Sequence, residues 1–183
     1  MTISVFGTGY VGLVTGVCFA EMGNDVICVD IDEKKIKGLN SGISPIYEPG
    51  LDELIASNLK EKRIQFTINS DKAIASSDIL IIAVGTPSDV DGSADMKYVL
   101  QVAEAIATTM DRYKIIVTKS TVPVGNRKKI KQIIEKHLSQ RNTNFGFDIV
   151  SNPEFLREGS AIEDCLKPSR VVVGSESERA KEI

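Results

Sequence analysis

Ile3-Ser4-Val5-Phe6-Gly7-Thr8-Gly9-Tyr10-Val11-Gly12 is the stretch from which the fold is read. Ile3 to Phe6 has the length and character of a short strand. It runs directly into Gly7-Thr8-Gly9-Tyr10-Val11-Gly12, and Leu13 to Met22 continues with helical spacing. A G-x-G-x-x-G loop in this strand–loop–helix setting is the fingerprint of a dinucleotide-binding unit. Gly7 makes the tight turn, Gly9 lets a pyrophosphate approach the backbone, and Gly12 lets helix and strand pack closely. The helix N-terminus then offers unpaired N–H groups and a positive dipole end to the phosphates. Tyr10 and Val11 complete the loop and are counted with the three glycines as cofactor-binding residues.

Val26-Ile27-Cys28-Val29 reads as a second strand and ends at Asp30, eighteen residues beyond Gly12. An acidic residue is expected roughly 20 residues after the glycine loop, where its carboxylate accepts hydrogen bonds from the adenosine ribose hydroxyls. The same charge repels the 2′-phosphate of NADP, so the chain is expected to prefer NAD.

Strand and helix signals alternate outward from this unit. Glu33–Leu39 reads as a short polar helix, and Ser44-Pro45-Ile46-Tyr47-Glu48-Pro49-Gly50 as a Pro/Gly-punctuated loop. Leu51–Leu59 reads as a helix, Ile64–Ile68 as an alternating strand, and Ala73–Ala75 as a helical turn. Ile79–Val84, Ile115–Val117 and Val171–Val173 are apolar runs suited to strands buried on both faces of a parallel sheet. Helices over 96–110 and 127–138 lie between them. The fold class is therefore α/β, a Rossmann-type doubly wound and mostly parallel sheet with helices on both faces. Ligands of such sheets bind at the carboxyl ends of the strands. Four loops, each following a predicted strand, should meet there: 7–12, 85–88, 120–125 and 152–159.

Composition removes several function classes. The 183 residues suit one sizeable domain, and the net charge of −3 offers no electrostatic attraction for nucleic acid or an anionic membrane. No apolar run approaches the roughly 20 residues of a membrane span, and the chain starts in its first strand with no signal peptide, so a cytoplasmic location is expected. Cys18, Cys28 and Cys165 have no metal-ligand spacing. Cys18 and Cys28 read as small buried hydrophobes. For Cys165 the bland reading is favoured over a reactive thiol, since no histidine or metal-type cluster accompanies it. His137, the single histidine, reads as a solvated helix-end residue.

Three segments carry candidate chemistry. Gly85-Thr86-Pro87 ends the fourth strand with backbone held open for the cofactor ribose or pyrophosphate. Ser120 and Thr121, in Thr118-Lys119-Ser120-Thr121-Val122-Pro123-Val124-Gly125, offer hydroxyls to a substrate oxygen or water, although such residues are also common helix caps. In Asn152-Pro153-Glu154-Phe155-Leu156-Arg157-Glu158-Gly159, Asn152 suits an N-cap, Pro153 the first helical position and Gly159 a stop. The segment is expected to form one helical turn with Glu154 and Glu158 on one face. Two such carboxylates beside an apolar cleft would push one pKa upward and favour general-base work.

These motifs together resemble the N-terminal domain of the UDP-glucose 6-dehydrogenase family, within the wider nucleotide-sugar dehydrogenases. GTGYVG at Gly7–Gly12, SPIYEPGL at Ser44–Leu51, VGTP at Val84–Pro87, KSTVPVG at Lys119–Gly125, NPEFLREGSA at Asn152–Ala161 and PSRVVVG at Pro168–Gly174 come in family order. The resemblance implies oxidation of UDP-glucose to UDP-glucuronate, in two steps and four electrons, with two NAD⁺ and no metal. A cysteine holds the aldehyde stage as a thiohemiacetal and then a thioester, which water hydrolyses. Thr121 matches the threonine that orders the substrate oxygen or water, and Glu154 the carboxylate that activates water. Glu158 matches a second carboxylate near the nicotinamide. Phe155-Leu156-Arg157 matches the segment along the UDP-sugar, with Glu154 beside it. Lys35 matches a basic position flanking the adenosine ribose next to Asp30.

In that family the nucleophilic cysteine lies in a later helical region, followed by a UDP-binding domain. None of Cys18, Cys28 and Cys165 matches it. The resemblance thus implies that residues 1–183 form the NAD-binding domain alone, inactive by itself and belonging to a homodimer or larger assembly. GDP-mannose 6-dehydrogenases are the nearest alternative; their equivalent loop usually continues with Ser-Thr-Ala, where this chain has Gly159-Ser160-Ala161. An alternative of another class is a stand-alone NAD-binding module without turnover. A gene that continues past Ile183 into a cysteine-containing helix and a second α/β domain would separate the enzyme from the module.

Overall fold

The computed structural model of the protein describes residues 1–88, 94–120 and 125–183. β1 (Thr2–Phe6) leads into α1 (Tyr10–Glu21) and β2 (Asp25–Val29), followed by α2 (Glu33–Asn40), α3 (Leu51–Lys60), β3 (Ile64–Thr67), α4 (Ser70–Ser76) and β4 (Ile79–Ile82). The second half continues with α5 (Lys97–Thr109), β5 (Lys114–Thr118), α6 (Asn126–Gln140), β6 (Phe147–Ser151), α7 (Ala161–Leu166) and α8 (Glu178–Glu182). The six strands pair in the order β3-β2-β1-β4-β5-β6, and every pairing is parallel. This is the doubly wound order of a dinucleotide-binding sheet.

The period-2 alternation of the strands divides the core into two layers. Ile3, Val5, Val26, Cys28, Ile64, Phe66 and Ile81 face α1, α2 and α3. Phe6, Ile27, Val29, Leu80, Ile82, Ile116 and Ile149 face α4, α5 and α6. Because both faces are covered, strands such as Ile79–Ile82 are apolar throughout. On α5, Val99, Ala103, Ile106 and Ala107 are buried, and on α6, Ile130, Ile134 and Leu138 meet them with i, i+4 spacing. His137 of α6 has Nε2 3.3 Å from Glu104 on α5 and is only 21 % exposed, so it spans the helix pair instead of projecting freely into solvent.

One apolar run departs from its expected strand. Val171–Val173 forms no strand, and its side chains are 65, 43 and 49 % exposed. The sheet ends instead at β6, where Ser151 forms an isolated antiparallel bridge with Gly174, just past the run. The Val172 carbonyl is taken by the Asn152 side-chain amide at 2.9 Å, which replaces a ladder bond. β6 itself has only Ile149 and Val150 as consecutive aliphatic residues, between Asp148 and Ser151, so a continuous-run signal does not delimit it. Asp148 is anchored by the hydroxyls of Tyr113 at 2.5 Å and Ser177 at 2.7 Å. Among the described residues, no helix is long and apolar enough to cross a membrane.

Candidate dinucleotide site and strand-end cleft

The order reverses between β1 and β4, and the loops leaving those strands diverge over a crevice at their carboxyl ends. Gly7 makes the turn out of β1 with φ +100°, and its N–H donates to the Val29 carbonyl at 2.8 Å. A Cβ at Gly7 would lie 2.6 Å from the Ala83 carbonyl oxygen, and one at Gly12 would lie 2.0 Å from the Gly7 oxygen. Both glycines are therefore required by the loop itself. Gly9 differs: it is the N-cap of α1, and a Cβ there would meet nothing within 4 Å. No side chain caps α1, and its first turn carries no acidic residue. By contrast, α2 is capped by Asp32, which accepts from the N–H groups of Lys34 and Lys35. The uncapped start of α1, with open space over Gly9, fits a pyrophosphate that takes the free N–H groups.

Asp30 follows β2 and faces the same crevice. Its Oδ2 accepts from the Thr8 N–H at 2.8 Å and the Thr8 hydroxyl at 2.6 Å, and its Oδ1 accepts from the Asp32 N–H at 3.0 Å. Lys35 Nζ lies 3.6 Å from Oδ2. Burial pushes the carboxyl upward, but the Thr8 and Asp32 hydrogen bonds and the Lys35 charge outweigh it and hold Asp30 below the ordinary carboxylate range. The group is thus an ionised acceptor. A cleft of about 630 Å³ is lined by Gly7, Gly9, Asp30, Lys35, Gly85 and Tyr98, with apolar walls from Phe6, Val29, Val84 and Val102. Its walls and donors suit an adenosine and its phosphates.

A smaller cavity of about 210 Å³ continues from the same loop and gathers residues from four strand ends. Gly9, Tyr10 and Val11 come from the first, Gly85 and Thr86 from the fourth, Lys119 and Ser120 from the fifth, and Glu154 from the sixth. Ser120 is not a helix cap: α6 is capped at Gly125, while the Ser120 hydroxyl donates to the Val84 carbonyl at 2.7 Å. Ser120 thereby ties the ends of β4 and β5 together. Pro87 lines neither cavity, and its carbonyl accepts from the Asp95 N–H at 2.8 Å. Thr121 lies outside the described residues.

Residues 153–158 do not form the expected helical turn, and the helix after β6 begins only at Ala161. Asn152 does not cap: its Oδ1 accepts from Lys119 Nζ at 2.9 Å and its amide holds Val172. With its polar groups committed across the loop, the segment forms no helix, and Glu154 and Glu158 do not share a helical face. Glu154 is half-buried, and its Oε2 accepts from the Leu156 N–H at 2.6 Å. Glu158 is exposed and close enough to Tyr10 for its charge to act on that phenol. Phe155 and Leu156 line a separate pocket of about 140 Å³, where Arg170 stacks 4.3 Å over the Phe155 ring. Arg157 is exposed and forms a two-point ion pair with Asp164, 2.7 Å at the closest.

Two polar groups gain a role that their motifs do not assign them. Glu48, in the Pro-rich loop before α3, is 5 % exposed. The Tyr10 hydroxyl donates to its Oε2, the Gly159 N–H donates to Oε2 at 2.8 Å, and the Ala161 N–H donates to Oε1 at 2.8 Å. It links the glycine loop to the 152–161 segment. Burial raises its pKa, but these donors overcome that and hold it below the ordinary value, while burial and Glu48 push Tyr10 up to about 12. Lys119 is the second: burial lowers its pKa, while Cys165 and Glu154 oppose that. A glutamate between prolines reads as solvated, so nothing in one sequence signals the burial of Glu48.

Comparison with known proteins agrees with this geometry. The family model for the UDP-glucose/GDP-mannose dehydrogenase family, NAD binding domain, matches residues 1–183. UDP-glucose 6-dehydrogenase TuaD of Bacillus subtilis (strain 168) is 52 % identical over 181 residues, which are 99 % of this chain and 39 % of that protein. The structure of a UDP-glucose dehydrogenase from the hyperthermophilic archaeon Pyrobaculum islandicum superposes with a TM-score of 0.91 at 40 % identity, over 99 % of this chain and 42 % of that one. A GDP-mannose dehydrogenase from Pseudomonas aeruginosa superposes with a TM-score of 0.94 at 35 % identity, over 100 % of this chain and 42 % of its own. The chain thus spans about two-fifths of the length of these relatives.

Proposed function

The chain belongs to the UDP-glucose/GDP-mannose dehydrogenase family, whose NAD-binding domain it forms, and from that premise we propose that it is the cofactor half of an enzyme oxidising UDP-glucose to UDP-glucuronate. Bound NAD⁺ supplies the hydride acceptor for the sugar C6. Asp30 receives the ribose hydroxyls, Lys35 flanks them, and the first turn of α1 holds the pyrophosphate with Gly9 leaving it room. Gly85, Thr86 and Ser120 shape the strand-end wall beside it.

The observation that carries this reading is the cavity where Gly9, Tyr10, Gly85, Ser120 and Glu154 converge. A carboxylate at that point is suited to take a proton from water. We assign Glu154 that role in hydrolysing the thioester at C6, with its orientation set through the Leu156 N–H. Thr121, which follows Ser120 in sequence, orders the oxygen or water that Glu154 acts on, and Glu158 supports it from the exposed side. Phe155, Leu156 and Arg157 run along the nucleotide sugar. The thiol nucleophile comes from the part of the relatives outside this chain, so residues 1–183 alone bind cofactor without turnover. Gly159-Ser160-Ala161 supports UDP-glucose over GDP-mannose as substrate.

The test uses the complete protein encoded with this chain. It should form two NADH per UDP-glucose and release UDP-glucuronate. Turnover of GDP-mannose in preference to UDP-glucose would reassign the substrate. A complete protein that binds NAD but oxidises no nucleotide sugar would instead make it a binding module.

A further inference from the structure

Cys165 lies half-buried on α7, and the structure places two groups beside it that the sequence does not connect. The first is Cys18, fully buried on α1, which shares one packed cluster with Cys165. Both pack in one cluster with Val14, Leu156 and Ala161. The second is the Lys119 ammonium, whose charge acts on Cys165 from the same pocket. That pocket of about 140 Å³ gives Cys165 a route to small solutes, whereas Cys18 has none.

The two thiols are unequal. Hydrogen bonding from Cys18 lowers the Cys165 pKa most, and Lys119 lowers it further against the opposing effect of burial. The Cys18 thiol is pushed up in return. A thiol with thiolate character and solvent access is the one that oxidants attack, and a neighbouring thiol resolves the product. Cys28 is an internal control: it is fully buried, and burial alone pushes it up to about 12.

We propose that Cys165 and Cys18 form a redox site, at which a hydroperoxide converts the two thiols into a disulfide joining α7 to α1. In the first step the Cys165 thiolate attacks a peroxide oxygen. The S–O bond forms, the O–O bond breaks, and the departing hydroxide takes a proton from solvent to become water. In the second step the Cys18 sulfur attacks the sulfenic sulfur of Cys165. The S–S bond forms, and the hydroxide that leaves carries away the Cys18 proton as a second water. Two thiols lose two electrons, and hydrogen peroxide gains them. The bond would tie the helix that starts at the glycine loop to the helix that comes after residues 152–160. Thiol reductants of a reducing compartment would reverse it, as expected of a transient cytosolic disulfide.

Stoichiometric hydrogen peroxide added to the reduced 183-residue chain tests the site by intact-mass and peptide analysis. The expected product has lost two hydrogens, contains a Cys18–Cys165 cross-linked peptide, leaves Cys28 open to alkylation after unfolding, and returns to the starting mass with dithiothreitol. Cys165 should be consumed about tenfold faster than Cys28, or more. In Cys18→Ala, and equally in Cys18→Ser, Cys165 should stop at a sulfenic acid that dimedone traps, and Cys165→Ser should form no disulfide. The proposal is overturned by a disulfide containing Cys28, by Cys165 passing to sulfinic acid with Cys18 intact, or by three free thiols after treatment.

Discussion

Gly9→Val separates the demands of the cofactor from those of the fold. Gly9 holds φ −72° and ψ −171°, an extended conformation open to any residue, and a Cβ there meets nothing within 4 Å. The cost to the fold is the loss of a favourable N-cap residue, at most about 1 kcal/mol. For a domain of this size that lowers Tm by about 2–4 °C. The space the valine occupies is the approach of the pyrophosphate to the N–H groups of α1, so NAD affinity should fall at least about 100-fold, or about 2.7 kcal/mol. Gly12→Ala inverts the pattern. Its Cβ would stand 2.0 Å from the Gly7 carbonyl oxygen, and neither backbone can yield without reopening the turn. That overpacking should cost more than about 3 kcal/mol, or about 10 °C, whether or not NAD is present. Calorimetry with NAD⁺ and thermal unfolding on both variants make the comparison. A Gly9→Val domain that binds NAD normally would refute the placement of the phosphates, and an unperturbed Gly12→Ala domain would refute the packing argument.

Three further outcomes rest on buried polar groups and on the assigned chemistry. Glu48→Gln replaces an ionised acceptor of Tyr10, Gly159 and Ala161 and should cost about 1.5–3 kcal/mol at neutral pH. Because the folded pKa of Glu48 is depressed, its advantage over Gln is full above the ordinary value of 4.5 and is lost as pH falls through the lower folded value; a Tm difference that widens on acidification would contradict this. Lys114→Met removes the donor that Nζ provides to the Ile74 carbonyl at 2.6 Å and the Ser77 carbonyl at 2.5 Å, at the end of α4. Leaving those carbonyls unpaired should cost about 2 kcal/mol or more, and a Tm within experimental error of the parent would show that water replaces the lysine. In the complete enzyme, Glu154→Gln should slow thioester hydrolysis and let a covalent sugar adduct accumulate, visible by intact-protein mass spectrometry; a slow variant without adduct would remove Glu154 from that role.

The parts of the fold that repeat are legible in the sequence. Apolar runs such as Ile79–Ile82 are long enough, and unbroken enough, to mark strands buried on both faces. The Gly7–Gly12 loop forms the turn from β1 into α1 that its pattern calls for, and Asp30 follows β2 and lines the same cleft. Legibility fails where side chains replace backbone pairing. Val171–Val173 has strand composition, but one bridge at Gly174 and the Asn152 amide take the contacts a ladder would need. Asn152 and Pro153 carry helix-start chemistry, yet Asn152 is committed to Lys119 and Val172, so the turn does not form. Glu48 and the cluster that holds Cys18 and Cys165 depend on elements more than a hundred residues apart. No local periodicity encodes such meetings.

Asp30 and the uncapped start of α1 are proposed to form the seat for NAD. Isothermal titration of the 183-residue chain with NAD⁺ and NADP⁺, alongside Asp30→Ala, decides it. NAD⁺ should bind more tightly than NADP⁺ by about tenfold or more, equivalent to about 1.4 kcal/mol, with the preference narrowed in Asp30→Ala and NAD affinity reduced. Equal or tighter binding of NADP⁺ by the unaltered chain would contradict it.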